Sequence, residues 1–373
     1  MNILYVTYID PRDISFGGGQ RTNFIWQALK KCGTVYTFCP LGGKAADQFD
    51  EQDRIHKVSV DSSNLLVLLL DRLVLRFFGP VRWPFRSAKF IRLRIGWPEV
   101  KFDCVVCRYI NNAALVSAWK LAPRCIIDID DLPTQANKDY RGLKKLVLAL
   151  WQNFVLRKST VSWFPNQDLI PRIAKVCDCR YLPNLAMPPK PGYQVSGKQK
   201  RQLMSVGWMA YRPNYEGVEW FVREVWPKVH AEFPDLSYAI AGKGAPADFA
   251  ARWSKVPGVK VLGFVDDLDA LYEESLAVVA PIFSGSGTCI KVQEAMLRGR
   301  YVFATPFAAR GMHDLPELHI ADSSAEVVTD LIQFLSVGKT WFTGVSVVAI
   351  ANSFESEISR SIKEGGYAGG RFC

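Results

Sequence analysis

The feature that most constrains this chain is an alternation of short apolar runs with amphipathic stretches, started twice. In the first half the expected strands are Ile3–Thr7, Val35–Cys39, Asp103–Cys107, Cys125–Asp128 and Val161–Phe164. In the second half they are Leu203–Val206, Ser237–Ala241, Val259–Leu262, Val278–Ala280 and Tyr301–Ala304. Helical patterns fall between them, at Gln20–Cys32, Tyr215–Phe233, Ala247–Ser254, Leu268–Ser275 and Thr288–Arg298. Strands that alternate with helices pair in parallel, because the helix carries the chain back to the starting edge of the sheet. Between the halves, residues 183–202 hold Pro183, Pro188, Pro189, Pro191 and a polar run ending at Arg201, which is linker composition.

At 373 residues the chain exceeds one ordinary core. The reading is therefore α/β, with two Rossmann-like doubly wound domains facing a central cleft. The first spans 1–182, the linker 183–202 and the second 203–345. Residues 346–373 supply a helix and tail expected to return to the first domain. In such sheets ligands bind beyond the carboxyl ends of the strands.

Charge is uneven. Residues 1–182 hold 27 Lys+Arg against 16 Asp+Glu, whereas residues 183–373 hold 19 against 20. The first half is thus expected to face something anionic. The nine cysteines follow no framework; Cys104 and Cys107 sit three apart in a strand and point to opposite faces, so reduced, mostly buried thiols are expected. Met1–Val6 reads as a strand rather than a leader, and no run is apolar enough to span a bilayer.

The richest segment runs from Pro281 to Gly299: Pro-Ile-Phe-Ser-Gly-Ser-Gly-Thr-Cys-Ile-Lys-Val-Gln-Glu-Ala-Met-Leu-Arg-Gly. Gly285 and Gly287 let backbone approach a ligand, with Ser286 between them. Thr288 is a natural N-cap, and the free N–H groups after it favour an anion. Lys291 and Glu294, three apart, share a helix face and offer a cation for phosphate and a carboxylate for hydroxyls. The bland alternative is a Gly-rich turn followed by a surface ion pair.

Together with Val206–Gly217, Ile240–Gly244 and Gly263–Leu268, this segment resembles the family-4 glycosyltransferases of GT-B type, especially those of bacterial surface polysaccharides. The resemblance covers most of residues 203–311. It implies sugar transfer from a nucleotide-sugar donor to a hydroxyl, on a lipid-linked or other glycan acceptor, with retention of configuration. It places Glu294 on the ribose, Arg212 and Lys291 on the diphosphate and Phe264 beside the base. Where many members have a first Glu, this chain has Ser286, so the donor-sugar contact falls to Ser286 or to loop N–H groups.

In the first half, Phe16-Gly-Gly-Gly-Gln-Arg21 resembles the family's Gly-Gly loop, which puts Gly18 and Gly19 near the donor phosphate. Cys125-Ile-Ile-Asp-Ile-Asp-Asp131 ends a strand with three acids. The family often has a His-Asp pair near here, and this chain has no His. Two readings stand: Asp130 or Asp131 orients or deprotonates the acceptor hydroxyl, or the acids form a turn. The catalytic candidates are therefore Asp130, Asp131 and Lys291. No metal or other cofactor is expected, since helix dipole, Arg and Lys suffice for the diphosphate.

Residues 71–101 hold eight Arg/Lys against two acids, interleaved with Phe and Trp. Arg82, Trp83, Arg86, Arg92 and Arg94 are the expected contacts with an anionic membrane surface. The alternative is ordinary amphipathic helices. A nucleic-acid partner is not expected, because no nucleic-acid motif accompanies the run. The sum is a cytoplasmic enzyme, peripheral on the inner face of the cell membrane. Its rivals are a sugar-nucleotide epimerase of the same fold and a non-catalytic polysaccharide-assembly partner.

Overall fold

The computed structural model describes residues 1–14, 16–41, 48–59, 99–136, 140–193, 199–285, 289–310, 312, 315–338 and 348–364. The chain forms two compact units. One comprises Met1–Asn184 with Ile350–Cys373, the other Leu185–Ala349.

The first unit is built on an eight-stranded sheet among the described residues. Its strands are β1 (Asn2–Val6), β2 (Thr34–Leu41), β3 (Gln48–Asp50), β4 (Ile55–Ser59), β5 (Cys104–Arg108), β6 (Arg124–Asp128), β7 (Val161–Phe164) and β8 (Cys179–Tyr181), in the order β3-β4-β2-β1-β5-β6-β7-β8. All neighbours are parallel except the β3–β4 pair. The central strands are apolar without a break because both faces are covered: β5 is buried throughout, and β1 from Ile3 onward.

The helix Gly17–Cys32 starts three residues before the expected Gln20, taking the glycine run as its first turn. Its buried face is Arg21, Thr22, Ile25, Trp26, Ala28 and Leu29. Phe24, half-buried beside that face, meets Phe354 edge-on at 6.4 Å. Phe354 belongs to the helix Val348–Lys363, which buries Phe354, Ile358 and Ile362 at a spacing of four within the first unit. Trp163 Nε1 donates to Ser361 Oγ there at 3.0 Å.

The second unit carries a six-stranded, all-parallel sheet among the described residues: β9 (Gln202–Val206), β10 (Ser237–Ala241), β11 (Val259–Gly263), β12 (Ala277–Ala280), β13 (Tyr301–Ala304) and β14 (Leu318–Ile320), in the order β11-β10-β9-β12-β13-β14. Part of the expected linker is fastened to this unit. The Lys190 amide donates to Asp269 at 2.8 Å, and Tyr193 Oη donates to the Arg298 carbonyl at 3.1 Å. A proline-rich segment has few amides to satisfy, so it lies flat on a surface at little cost in unpaired donors.

The stretch expected as one helix over Tyr215–Phe233 runs Arg212–Trp220, then a π-helical turn Phe221–Val225, then Trp226–Glu232. Pro227 follows that turn and has no N–H to give to the preceding carbonyls, which the wider turn accommodates. Strands β3, β4, β8 and β14 were not anticipated. They are short, mixed in polarity and lie toward the sheet edges, where one face meets water and the apolar signal fades. Among the described residues no helix is long and apolar enough to cross a membrane.

Candidate functional site

The carboxyl ends of β9, β10 and β11 are stitched together by their own backbone. Gly207 N donates to Ala241 O at 3.1 Å, Met209 N to Lys243 O at 2.9 Å and Gly242 N to Gly263 O at 2.6 Å. Gly242 has φ of 136°, and a Cβ there would sit 1.7 Å from the Gly207 carbonyl oxygen. Gly242→Ala therefore forces the two loops apart. It is expected to cost about 2–3 kcal/mol, through strain at a special backbone position combined with overpacking. Urea unfolding checks this, and a variant within about 0.5 kcal/mol of the parent would refute the close-packing account.

Lys291 lies one residue into the helix Ile290–Leu297 that follows β12. Its Nζ donates to Asn214 Oδ1 at 2.7 Å, and Asn214 Nδ2 donates in turn to the Trp208 carbonyl at 2.8 Å. A Cβ on Gly207 would fall 3.0 Å from Lys291 Nζ. One cation is thus held between the loop after β9, the start of the helix Arg212–Trp220 and the helix after β12. Burial lowers the Lys291 pKa below the ordinary lysine value, partly countered by Cys289 and Glu294 nearby. Such a cation is short of counter-charge and suited to an incoming anion.

The other residues singled out from sequence are placed as follows. Val292, Ala295 and Met296 are buried while Glu294 is half-buried, the division their spacing implies. Gly285, with φ of 129°, approaches Tyr211 at the end of the loop before Arg212. Arg212 is exposed at the first turn of its helix and pairs with Glu216 at 2.7 Å. Phe264 is exposed, with Lys243 Nζ 5.8 Å from its ring centroid. Ser286, Gly287 and Thr288 lie outside the described residues. The helix was expected from Thr288; it begins at Ile290, and its N-cap Cys289 makes no side-chain capping bond. Trp208, Tyr211 and Phe283 are further exposed aromatics on these loops, which the sequence reading did not single out.

In the first unit the polar cluster is more tightly built than the sequence suggested. Asp128, fully buried at the end of β6, accepts from both Arg21 and Arg108, themselves buried. Asp130 accepts from Arg108 Nη2 at 2.7 Å and from Tyr109 Oη at 3.1 Å. Burial pushes the Asp130 carboxyl up, but Arg108 and Arg21 outweigh that and leave its pKa below the ordinary value. A carboxylate held this way is a poor proton acceptor, so its geometry favours a positioning role over that of a base. Asp131 is half-buried at the bend that follows.

Gly18 and Gly19 sit beside this cluster rather than in an open loop. The Gly18 carbonyl accepts from Thr22 Oγ1 at 2.7 Å and Arg108 Nη2 at 3.4 Å. A Cβ on Gly19 would lie 2.0 Å from the Asp13 carbonyl, so Gly19 is required for packing, whatever it offers a ligand. Sequence reasoning passed over Arg108 and Tyr109. The only local sign was a charged residue ending an otherwise apolar strand. Tyr109 has φ of +67°, uncommon for a bulky residue, and stacks on exposed Tyr8 with centroids 5.0 Å apart.

Arg82, Trp83, Arg86, Arg92 and Arg94, expected to face a membrane, lie outside the described residues. Among the described residues no group of three or more His, Cys, Asp or Glu is placed to hold a metal ion. The thiols of Cys104, Cys107 and Cys125 are free and buried, and burial raises the pKa of each.

Residues 200–336 match the family model for glycosyl transferases group 1. A search of curated protein sequences finds no match. Among solved structures, sucrose-phosphate synthase from Thermosynechococcus elongatus aligns over 97% of this chain and 94% of its own, at 14% identity and a TM-score of 0.61. WaaG, a glycosyltransferase involved in lipopolysaccharide biosynthesis, covers 98% and 96%, at 12% identity and 0.59. Anabaena HepE, solved in complex with UDP and glucose, covers 97% and 95%, at 13% identity and 0.59. Identities this low speak for the fold alone. The matched segment spans the loops that hold Lys291, and the likeness in fold runs through both units. The chain thus has the fold of the GT-B glycosyltransferases, and residues 200–336 of its second unit are similar to the glycosyl transferases group 1.

Proposed function

We propose that this protein transfers a sugar from a nucleoside-diphosphate donor to a hydroxyl of a lipid-linked glycan in polysaccharide biosynthesis, with retention of anomeric configuration. The observation that carries the donor half is Lys291, half-buried at the opening of its helix and held by Asn214 at 2.7 Å. A diphosphate at this point meets the lysine and the positive end of the helix dipole, with Arg212 released from Glu216 to join them. These cations stabilise the charge that grows on the leaving diphosphate as the glycosidic bond breaks. Glu294 takes the ribose hydroxyls and Phe264 borders the base. HepE, bound to UDP and glucose, supports a uridine nucleotide as the first donor class to try.

The acceptor half is assigned to the carboxyl edge of the first sheet, where Asp130, Asp131 and the Tyr8–Tyr109 stack gather. The reading needs no metal, because protein cations already face the diphosphate. The enzyme works at the inner face of the cell membrane, where its lipid-linked acceptor resides.

A thermal-shift panel of UDP, GDP, ADP and dTDP with their sugar conjugates tests the donor half. A nucleotide at 100 times its Kd adds about 2.7 kcal/mol, a rise in Tm of about 5–10 °C for a unit of this size. The rise is expected with one nucleotide and is expected to disappear in Glu294→Ala. No shift with any of them overturns the donor assignment.

A further inference from the structure

The helix Gly142–Leu156 in the first unit is apolar on two opposite faces. One face buries Leu148, Trp151, Val155 and Leu156 in the core. The other is turned outward: Leu143 is 69% exposed, Leu146 55%, Leu150 61% and Phe154 45%. Spacings of three, four and four put these four side chains on one stripe. At 1.5 Å per residue the stripe is about 16 Å long. An isolated exposed leucine needs no explanation, but a continuous row of this length does.

The surroundings indicate what covers it. Between Arg141 and Lys158 there are five Lys/Arg and no Asp or Glu. Arg141, Lys144, Lys145, Arg157 and Lys158 are all exposed, with two of them at the end of the helix and three at its start. Lys158 Nζ stands 5.7 Å from the Phe154 ring centroid, at the rim of the stripe. An apolar stripe on a helix whose own charged residues are all cations matches an anionic lipid surface, where leucines enter the acyl boundary and the cations meet headgroups. A second copy of this chain fits worse, since a two-fold contact would set each copy's five cations against the other's.

We propose that the outer face of Gly142–Leu156 docks the protein on anionic lipid, lying in the interface without crossing it. This deepens the membrane part of the proposed function and rests on it, but is independent of the nucleotide site. It also differs from the expectation placed on residues 71–101.

The test is co-sedimentation with phosphatidylcholine vesicles, with and without phosphatidylglycerol. The parent protein is expected to partition onto the anionic vesicles and to be released by salt. Leu146→Ser with Leu150→Ser is expected to reduce that partition about tenfold or more. Both positions are exposed, so circular dichroism and the nucleotide-induced thermal shift should be unchanged, which separates a docking failure from failure of the donor site. Lys144→Glu with Lys145→Glu should remove the preference for anionic lipid. Undiminished partition of the double-serine variant, or equal binding of the parent to both vesicles, overturns the proposal. So does a dimer on gel filtration that the double-serine variant dissociates.

Discussion

Lys291→Met is expected to abolish the nucleotide-induced thermal shift and to lower kcat/KM for the donor about 100- to 1000-fold, the usual loss when one preorganised stabiliser of developing charge is removed. The fold should not suffer. Lys291 has a lower pKa in the folded chain than the ordinary lysine value, so at neutral pH its charge opposes folding. Replacing it with an uncharged side chain of similar length should leave Tm unchanged or slightly raised. The same shift predicts a pH dependence. Donor affinity requires the ammonium form, and it should fall with rising pH from below the ordinary lysine value of 10.5. That dependence should vanish in the methionine variant. Asn214→Ala, which removes only the partner that aims Nζ, should cost less, about tenfold. Isothermal titration across the pH series checks each point. Unaltered nucleotide binding by Lys291→Met would show that the anion sits elsewhere.

The second large effect is expected in the first unit. Asp128 is fully buried between two buried guanidinium groups, Arg21 and Arg108. Asp128→Asn keeps the shape and removes the charge, leaving two arginines with only Asp130 between them. Breaking such a buried arrangement from one side costs about 3–5 kcal/mol, because a desolvated charge is left without its partner. For a unit of this size the transition should fall by about 6–20 °C. Asp130 adds a pH signature. Its folded pKa lies below the ordinary value, so its contribution is fully present at neutral pH and is lost as pH falls through the lowered value. The nucleotide-induced shift should persist in Asp128→Asn, since the loops around Lys291 all belong to the second unit. A transition within about 1 °C of the parent, well inside the range expected for a surface substitution, would refute the central place given to this cluster.

Why such a network stands there follows from the ends of the strands. Arg108 and Asp128 are the last residues of β5 and β6, and Arg21 is in the helix after β1. They converge where three parallel strands end, and Tyr109, in its uncommon backbone conformation, is tied to them by its amide on the Asp128 carbonyl and its hydroxyl on Asp130. A rigid carboxyl edge is what acceptor recognition would need. In the proposed acceptor role, Asp130 would serve as a fixed hydrogen-bond acceptor more than as a proton acceptor.

The sequence by itself determined the order of the central elements and the parallel pairing of their strands. The central strands β1, β5, β6, β9, β10 and β12 are covered on both faces, so burial writes an unbroken apolar run that can be read directly. It also determined that a helix follows β12, though it begins at Ile290 rather than Thr288, because a helical spacing of apolar residues is a local signature that does not depend on distant contacts. The tertiary structure decided the rest, for reasons of distance along the chain. Arg21, Arg108 and Asp128 are far apart in sequence, and nothing in any one of their segments announces that their charges will neutralise one another in the dry interior. The glycine run at 17–19 looks like an open loop, and only the Asp13 carbonyl pressed against Gly19 reveals a packed helix start. The outward leucines of Gly142–Leu156 are the same case reversed. An apolar helix in a sequence is expected to be buried all round, and only the packed structure shows which of its faces the core leaves uncovered.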